Sequence, residues 1–420
     1  MKINVLIINH NGGSIYHGPN LRTYYAAKEL VKLGHDVTIV SSSYSHKYSI
    51  LPKTIDIVTK EVIDGINYRW IRCIKYKNIF QRIYSHFEFG FKALLNRNKL
   101  ASNTDVVIFS GPPPEIFFFA YWIAKAFSAP VLSDIRDLWP RTQIEMNKLQ
   151  WLNPYIYFLF FCQYAMVKLS DDLISPLPGA GKYLAVIGAH NDTVIIENGF
   201  DTNRDNSYHD LDLDVVYAGE SVSFSKDKKV KLSEIKNSGK CVIGYSGSFD
   251  RDNDVDSLVK ASERLSDRGD LLFLFVGDGV KRREILEMAK KIPNILICNR
   301  VLAINVPDVL HVMDICFCGL KPKDIYQYGV SLAKSYEYMA AAKPILWMVE
   351  ACNNPVKVSG GGFLVRPGSL NDLVKQINYA SNLDKTTLSE LGQKGYSYLL
   401  ENYSYQVLGK QWEQLILRHR

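Results

Sequence analysis

Short apolar runs separated by amphipathic stretches recur along most of the chain. The run at 3–8 (INVLII) reads as a buried strand, followed by a loop at 9–18 containing Gly12, Gly13 and Gly18. Pro19 suits the first position of a helix that continues through Leu33 and stops at Gly34. Further strands are expected at 36–41, 105–110, 131–135, 172–175 and 193–197. Helices are expected from the Pro112-Pro113-Pro114 break through Ala126, and over 155–169. Strands that alternate with helices argue for a parallel sheet covered on both faces.

The pattern weakens over 201–240, which holds Asp210, Asp212 and Asp214 and a lysine-rich stretch at 226–231. This segment reads as a connector. A second alternating series then predicts strands at 241–245, 271–276, 295–298, 315–317 and 345–346. Helices are expected at 254–266, 281–290, 306–313, 370–383 and 388–402, with a short one near 331–342 and an amphipathic end at 404–420. The expected class is α/β, with domains at 1–200 and 241–403. The length of 420 residues supports two cores rather than one.

Composition changes this picture in one place. The hydrophobic and charged fractions, 47% and 22%, are ordinary for a globular chain, but the net charge of +7 is unevenly placed. Residues 60–99 hold nine basic and three acidic side chains, interleaved with Tyr68, Trp70, Tyr76, Phe80, Tyr84, Phe87, Phe89 and Phe91. Two strongly apolar, aromatic stretches follow at 116–127 and 155–167. Both are shorter than the roughly 20 apolar residues that span a bilayer, so they read as buried helices or as interfacial ones. We therefore expect an anionic membrane surface, not nucleic acid, as partner of the basic patch. The start MKINV passes directly into a strand pattern without a signal-peptide core. The seven cysteines are scattered and do not form a metal knuckle. A cytoplasmic location at the inner membrane face is expected.

Candidate chemistry gathers at strand ends. In 331–346 (SLAKSYEYMAAAKPIL), Ser331, Lys334 and Glu337 stand three residues apart at a helix start, on one face. A helix start offers free N–H groups and a partial positive charge to phosphate. Gly247 and Ser248 end one strand, and Gly277, Asp278 and Gly279 another. Neither site has the spacing of a dinucleotide fingerprint or a phosphate loop, which counts against a dehydrogenase or ATPase. Residues 250–254 (DRDND) mimic a calcium loop, but Val255 and Ala261 stand where glycine and glutamate are needed.

The order of motifs resembles family 4 glycosyltransferases of the GT-B fold. Within them it is most similar to bacterial enzymes of O-antigen and capsule synthesis of the L-fucosamine (N-acetylfucosaminyl) transferase type. The resemblance is carried by 34–38 (GHDVT), 64–66 (DGI), 134–140 (DIRDLWP), 197–201 (ENGFD), 244–248, 276–279 and 331–344. It implies two Rossmann-like domains facing a cleft, with residues 404–420 crossing back to the first. It also implies a retaining, metal-independent enzyme. The donor would be a nucleotide diphosphate sugar, UDP-linked, and the acceptor a glycan on a polyprenyl diphosphate lipid.

Some family residues are replaced. Of two glutamates usually eight positions apart, Glu337 matches the ribose-binding one and Gly329 stands for the other. The usual basic pair falls near Ser248 and Asn253, leaving Arg251 and Lys334 as substitutes. The usual histidine falls on Arg136, followed by Asp137. We assign the departing diphosphate to Lys334, Arg251, Ser331, Ser248 and Gly247, with Gly277, Asp278 and Gly279 nearby. Arg136 and Asp137 go to the reacting-sugar or acceptor side, or brace their loop as a pair. Gly18 lets the first loop approach the donor. A nucleotide-sugar epimerase and a catalytically silent scaffold are the alternative readings.

Overall fold

The computed structural model describes residues 2–18, 21–147, 153–190, 192–204, 207–222 and 228–419. Pro19 lies outside them, as do residues 226–227 of the lysine-rich stretch. The chain divides into two compact units, Met1–Gly199 with Tyr405–Arg420, and Phe200–Ser404.

The first unit contains β1 (Asn4–Ile8), β2 (Asp36–Ser42), β3 (Val58–Ile63), β4 (Ile66–Ile71), β5 (Val106–Gly111), β6 (Val131–Ile135), β7 (Asp172–Ser175) and β8 (Val194–Ile195). Their order in one sheet is β3-β4-β2-β1-β5-β6-β7-β8. Every pair is parallel except β3 with β4. The order reverses between β1 and β5, so their C-terminal ends open a crevice where ligands bind in sheets of this kind. The hairpin β3–β4 turns at Asp64-Gly65, both with positive φ, as a two-residue hairpin loop requires. Helix Tyr405–Leu417 packs on helix Arg22–Lys32, with Tyr25 and Tyr405 rings stacked at 4.0 Å.

The second unit contains β9 (Asp212–Ala218), β10 (Lys229–Lys231), β11 (Cys241–Ser248), β12 (Leu271–Asp278), β13 (Ile295–Cys298), β14 (Ile315–Gly319), β15 (Ile345–Met348) and β16 (Gly362–Leu364). The order is β10-β9-β13-β12-β11-β14-β15-β16, reversing between β11 and β14. The stretch 201–240 is therefore not a free connector. Strand β9 pairs antiparallel with β13 and with β10, because Leu213 and Val230 bury their side chains between polar neighbours. Strand β8 is two residues long, shorter than the expected 193–197.

Candidate functional site

In the second unit the chemistry-bearing residues cluster at the C-terminal ends of β11 and β12 and at the helix after β14. Parallel register puts Gly247 beside Gly277 and Ser248 beside Asp278. A Cβ at Gly277 would lie 1.9 Å from the Gly247 carbonyl oxygen, so strand contact alone demands glycine there. Asp278 accepts the Gly279 N–H at 2.9 Å and pairs with Arg282 at 3.3 Å, which hold its carboxyl below the usual range. Asp278 and Gly279 thus form the turn rather than a free ligand set. Ser248 is exposed. Arg251 is exposed and has no hydrogen bond or ion pair among the described residues.

Lys334 stands in the first turn of helix Ala333–Ala340, whose start no side chain caps. Its ammonium reaches the Tyr245 hydroxyl at 3.2 Å, lies 4.9 Å from the centre of that ring, and meets the Asn253 side-chain oxygen. Tyr245 donates to the Ser248 carbonyl at 2.7 Å, and Asn253 donates to the same carbonyl and to Ser248 Oγ. Burial pulls the Lys334 ammonium below its usual value, opposed by Cys318 and Asp250. A cation at a helix N-terminus is also disfavoured by the helix dipole. Two costs at one residue, with no carboxylate paired to it among the described residues, suit a site built for an anion. Asn253 occupies a position where the resemblance expects a basic residue, and Lys334 brings its amine there from another element.

Glu337, one turn further, faces Arg204, whose Nη1 lies 3.2 Å from both carboxylate oxygens. Arg204 also donates to the Ala303 carbonyl. Burial raises the Glu337 carboxyl above its usual range, and Arg204 opposes the rise. Glu337 borders a cavity of about 240 Å³ that Tyr208, His311 and Tyr396 also line. Ser331 Oγ is 3.0 Å from the Tyr336 hydroxyl. Gly329, where a glutamate is usual, has φ +104, a conformation open to glycine and strained for glutamate.

The first unit separates the residues of the 134–140 motif. Asp134 is buried and takes three guanidinium hydrogen bonds from Arg22 at 2.9–3.2 Å plus one from Ser110 Oγ at 2.8 Å. Arg22 in turn donates to the Ile196 and Glu197 carbonyls and to Asn198. Arg136 Nε donates to the Gly111 carbonyl at 2.9 Å, and burial lowers its pKa. Asp137 is exposed and has no hydrogen bond or ion pair from its carboxylate among the described residues, so it does not brace the loop with Arg136. At Gly18 a Cβ would lie 2.6 Å from the Lys47 carbonyl oxygen, which explains the glycine by packing.

Sequence reasoning missed Arg22, Tyr245, Asn253 as an amine partner, and Arg204. Arg204 and Glu337 are 133 positions apart, and Tyr245 reads simply as an apolar strand residue. Arg22 carried a usable signal, being a lone arginine at the start of an otherwise half-apolar helix.

Residues 16–204 match the model of Glycosyltransferase Family 4. No curated protein matches the chain. Among solved structures, sucrose-phosphate synthase from Thermosynechococcus elongatus superposes with TM-score 0.67 at 13% identity, covering 99% of this chain and 98% of that one. HepE of Anabaena, in complex with UDP and glucose, gives 0.64 at 10%, covering 99% and 100%. The α,α-trehalose-phosphate synthase (UDP-forming) from Burkholderia vietnamiensis gives 0.68 at 11%, covering 99% and 100%. With a Glycosyltransferase Family 4 match over residues 16–204 and these folds matched along its length, the chain has the GT-B fold.

Proposed function

We propose that the enzyme transfers an N-acetylated hexosamine or deoxyhexosamine from a UDP-sugar to a polyprenyl-diphosphate-linked glycan, with retention, in O-antigen or capsule synthesis. The observation that carries the donor half is Lys334, a half-buried amine with no carboxylate partner among the described residues, at an uncapped helix start. It supplies positive charge where the departing diphosphate gains negative charge, usually the largest catalytic contribution. Arg251, free and exposed, adds a second cation, and Glu337 takes the ribose hydroxyls. With the charge supplied by side chains and a helix start, transfer proceeds without a metal ion. The HepE complexes with UDP and with UDP-glucose support a UDP-linked donor.

The acceptor half is supported by an apolar surface on the first unit. Helix Ile79–Leu95 turns Phe80, Tyr84, Phe87, Phe91 and Leu95 outward, at spacings that put them on one face. Helix Pro154–Leu169 exposes Tyr157, Phe161 and Tyr164 in the same way. Rings Phe87–Phe119 and Phe118–Phe161, at 6.3 and 5.8 Å, join these helices through Phe117–Ala126 into one patch. Among the described residues no helix is long and apolar enough to cross a membrane. The patch, with Lys75, Lys77 and Lys125 exposed beside it, suits docking at an anionic membrane surface.

The test is a transfer assay with UDP-N-acetylhexosamines and a lipid-diphosphate glycan, with the product extracted into organic solvent and its anomer read by NMR. Turnover that persists in EDTA is expected. Free sugar or an epimer from donor alone would move the reading to the epimerase. Absence of UDP binding by calorimetry would leave a scaffold. Co-sedimentation with anionic vesicles is expected at low salt and lost at high salt; no sedimentation at low salt removes the membrane partner.

A further inference from the structure

The first unit carries a group of cations that the donor site does not use. Lys47 lies on the loop after β2. Arg82 is in the first turn of helix Ile79–Leu95, which follows β4. Arg136 immediately follows β6. Strands β2, β4 and β6 run parallel with β1, so all three residues stand at the C-terminal edge of one sheet, on either side of its reversal point.

The loops that carry them are pinned. The backbone N–H and Nδ1 of His46 lie 3.2 and 2.8 Å from the Tyr76 hydroxyl, and Ser45 Oγ donates to Asn11. Asn78 caps the helix that bears Arg82 by accepting from the Gln81 N–H. Among the described residues neither Lys47 nor Arg82 forms an ion pair or a side-chain hydrogen bond. After burial, the charges of Arg136 and Arg82 push the Lys47 ammonium down, and Asp137 alone pushes it up. His46 is depressed first by burial and then by Arg82 and Lys47. His10, which follows β1, is buried with Nε2 unpartnered, and Arg82 is among the charges acting on it.

Like charges held together on fixed loops repel, and among the described residues neither Lys47 nor Arg82 has an ion pair to offset the repulsion; Asp137 opposes it only in part. We infer that Lys47, Arg82 and Arg136 form an anion site for a phosphate or diphosphate group, separate from the residues assigned to the donor. Arginine offers a planar fork and lysine a point charge, the usual pair for phosphate oxygens. The exposed Ile79 stands three residues before Arg82 on the same helix, which suits a diphosphate that carries an apolar chain. That last step rests on the lipid-linked acceptor proposed above; the anion site itself does not.

The experiment titrates inorganic pyrophosphate into the full chain by calorimetry, with saturating UDP present to occupy the donor site. Wild type is expected to bind, and Lys47→Ala/Arg82→Ala to bind at least tenfold more weakly, with UDP affinity unchanged. Lys47→Arg/Arg82→Lys should recover most of the loss. In the transfer assay the alanine pair should raise KM for a polyprenyl diphosphate acceptor at least tenfold and change kcat less than twofold. That KM effect assigns the site to the lipid headgroup; pyrophosphate binding without it assigns the site to a free phosphate. Pyrophosphate binding that is absent from wild type, or equal in the alanine pair, overturns the site. A chain that transfers nothing yet binds pyrophosphate through Lys47 and Arg82 would sink the transfer reading and leave this one standing.

Discussion

Asp134 in the first unit and Lys334 in the second are both charged side chains set into the C-terminal edge of a parallel sheet. Their surroundings differ. Asp134 is saturated by Arg22 and Ser110, and Arg22 is itself held by carbonyls of 196–197. Lys334 has a phenol and an amide oxygen and, among the described residues, no carboxylate. A buried charge whose hydrogen bonds are complete holds the fold together. A charge left without its counter-ion is waiting for one from a ligand. Pairing, rather than burial or motif membership, distinguishes Asp134 from Lys334.

The most severe way to break this contrast is at Asp134. Asp134→Ala leaves the Arg22 guanidinium buried without its carboxylate, which should cost about 3–5 kcal/mol. Denaturant unfolding of the full chain measures it, and a loss below about 1 kcal/mol would show that the pair is not structural. Lys334→Met is the opposite case. It removes a desolvated cation from an unfavourable helix position, so the melting temperature should hold or rise, while turnover falls at least tenfold. The pH dependence has a definite sign. The folded protein releases the Lys334 proton at lower pH than the unfolded chain, so over that interval unfolded chains bind more protons and stability rises with pH. Lys334→Met should flatten that rise. Unchanged turnover would move the diphosphate role to Arg251.

Arg204 should give an intermediate effect. Arg204→Ala removes the cation facing Glu337, at a cost of about 1–3 kcal/mol. The Glu337 carboxyl, already raised by burial, then rises further. A folded state that holds this proton more tightly than the unfolded chain loses stability as pH rises through the carboxyl's raised range. The variant's stability should therefore fall more steeply than wild type's as pH increases from about 4.5. Parallel pH profiles would show that Arg204 does not set the charge of Glu337. Glu337→Gln separately tests the ribose role, since weaker UDP binding is expected by calorimetry.

Much of the fold was legible because parallel strands buried on both faces are continuous apolar runs; the strands at 131–135, 172–175 and 295–298 fall where the sequence puts them. The hairpin β3–β4 was missed although Asp64-Gly65 marks its turn, because Lys60, Glu61 and Arg69 break the apolar run on an exposed edge. Helix Ile79–Leu95 was missed because its apolar face points outward and the pattern reads as a basic, aromatic patch. Strand β9 was hidden by Asp210, Asp212 and Asp214, which read as a loop while Leu213 buries. The site was legible as positions and not as partners. Ser248, Lys334 and Glu337 follow from local spacing. That Asn253 meets Lys334 and Arg204 meets Glu337 depends on contacts 81 and 133 residues apart, which no local pattern encodes.

The finest test lies within one motif. Asp137 is three residues from Asp134, yet it is exposed and its carboxylate has no partner among the described residues. Asp137→Asn keeps the shape and removes the charge, so stability should change by less than about 0.5 kcal/mol. It lines the small cavity bounded by Gly111, Trp139 and Gln163, and Gln163 there has an unpartnered amide nitrogen. It also opposes the cations at Lys47. If Asp137 accepts a proton from, or orients, a sugar hydroxyl, turnover should fall at least tenfold while pyrophosphate binding at Lys47 and Arg82 holds or tightens, since the opposing charge is gone. A variant with wild-type turnover would remove Asp137 from the chemistry and leave Arg136 as the candidate site residue of the 134–140 motif. The contrast between paired and unpaired charges would then hold for the second unit alone.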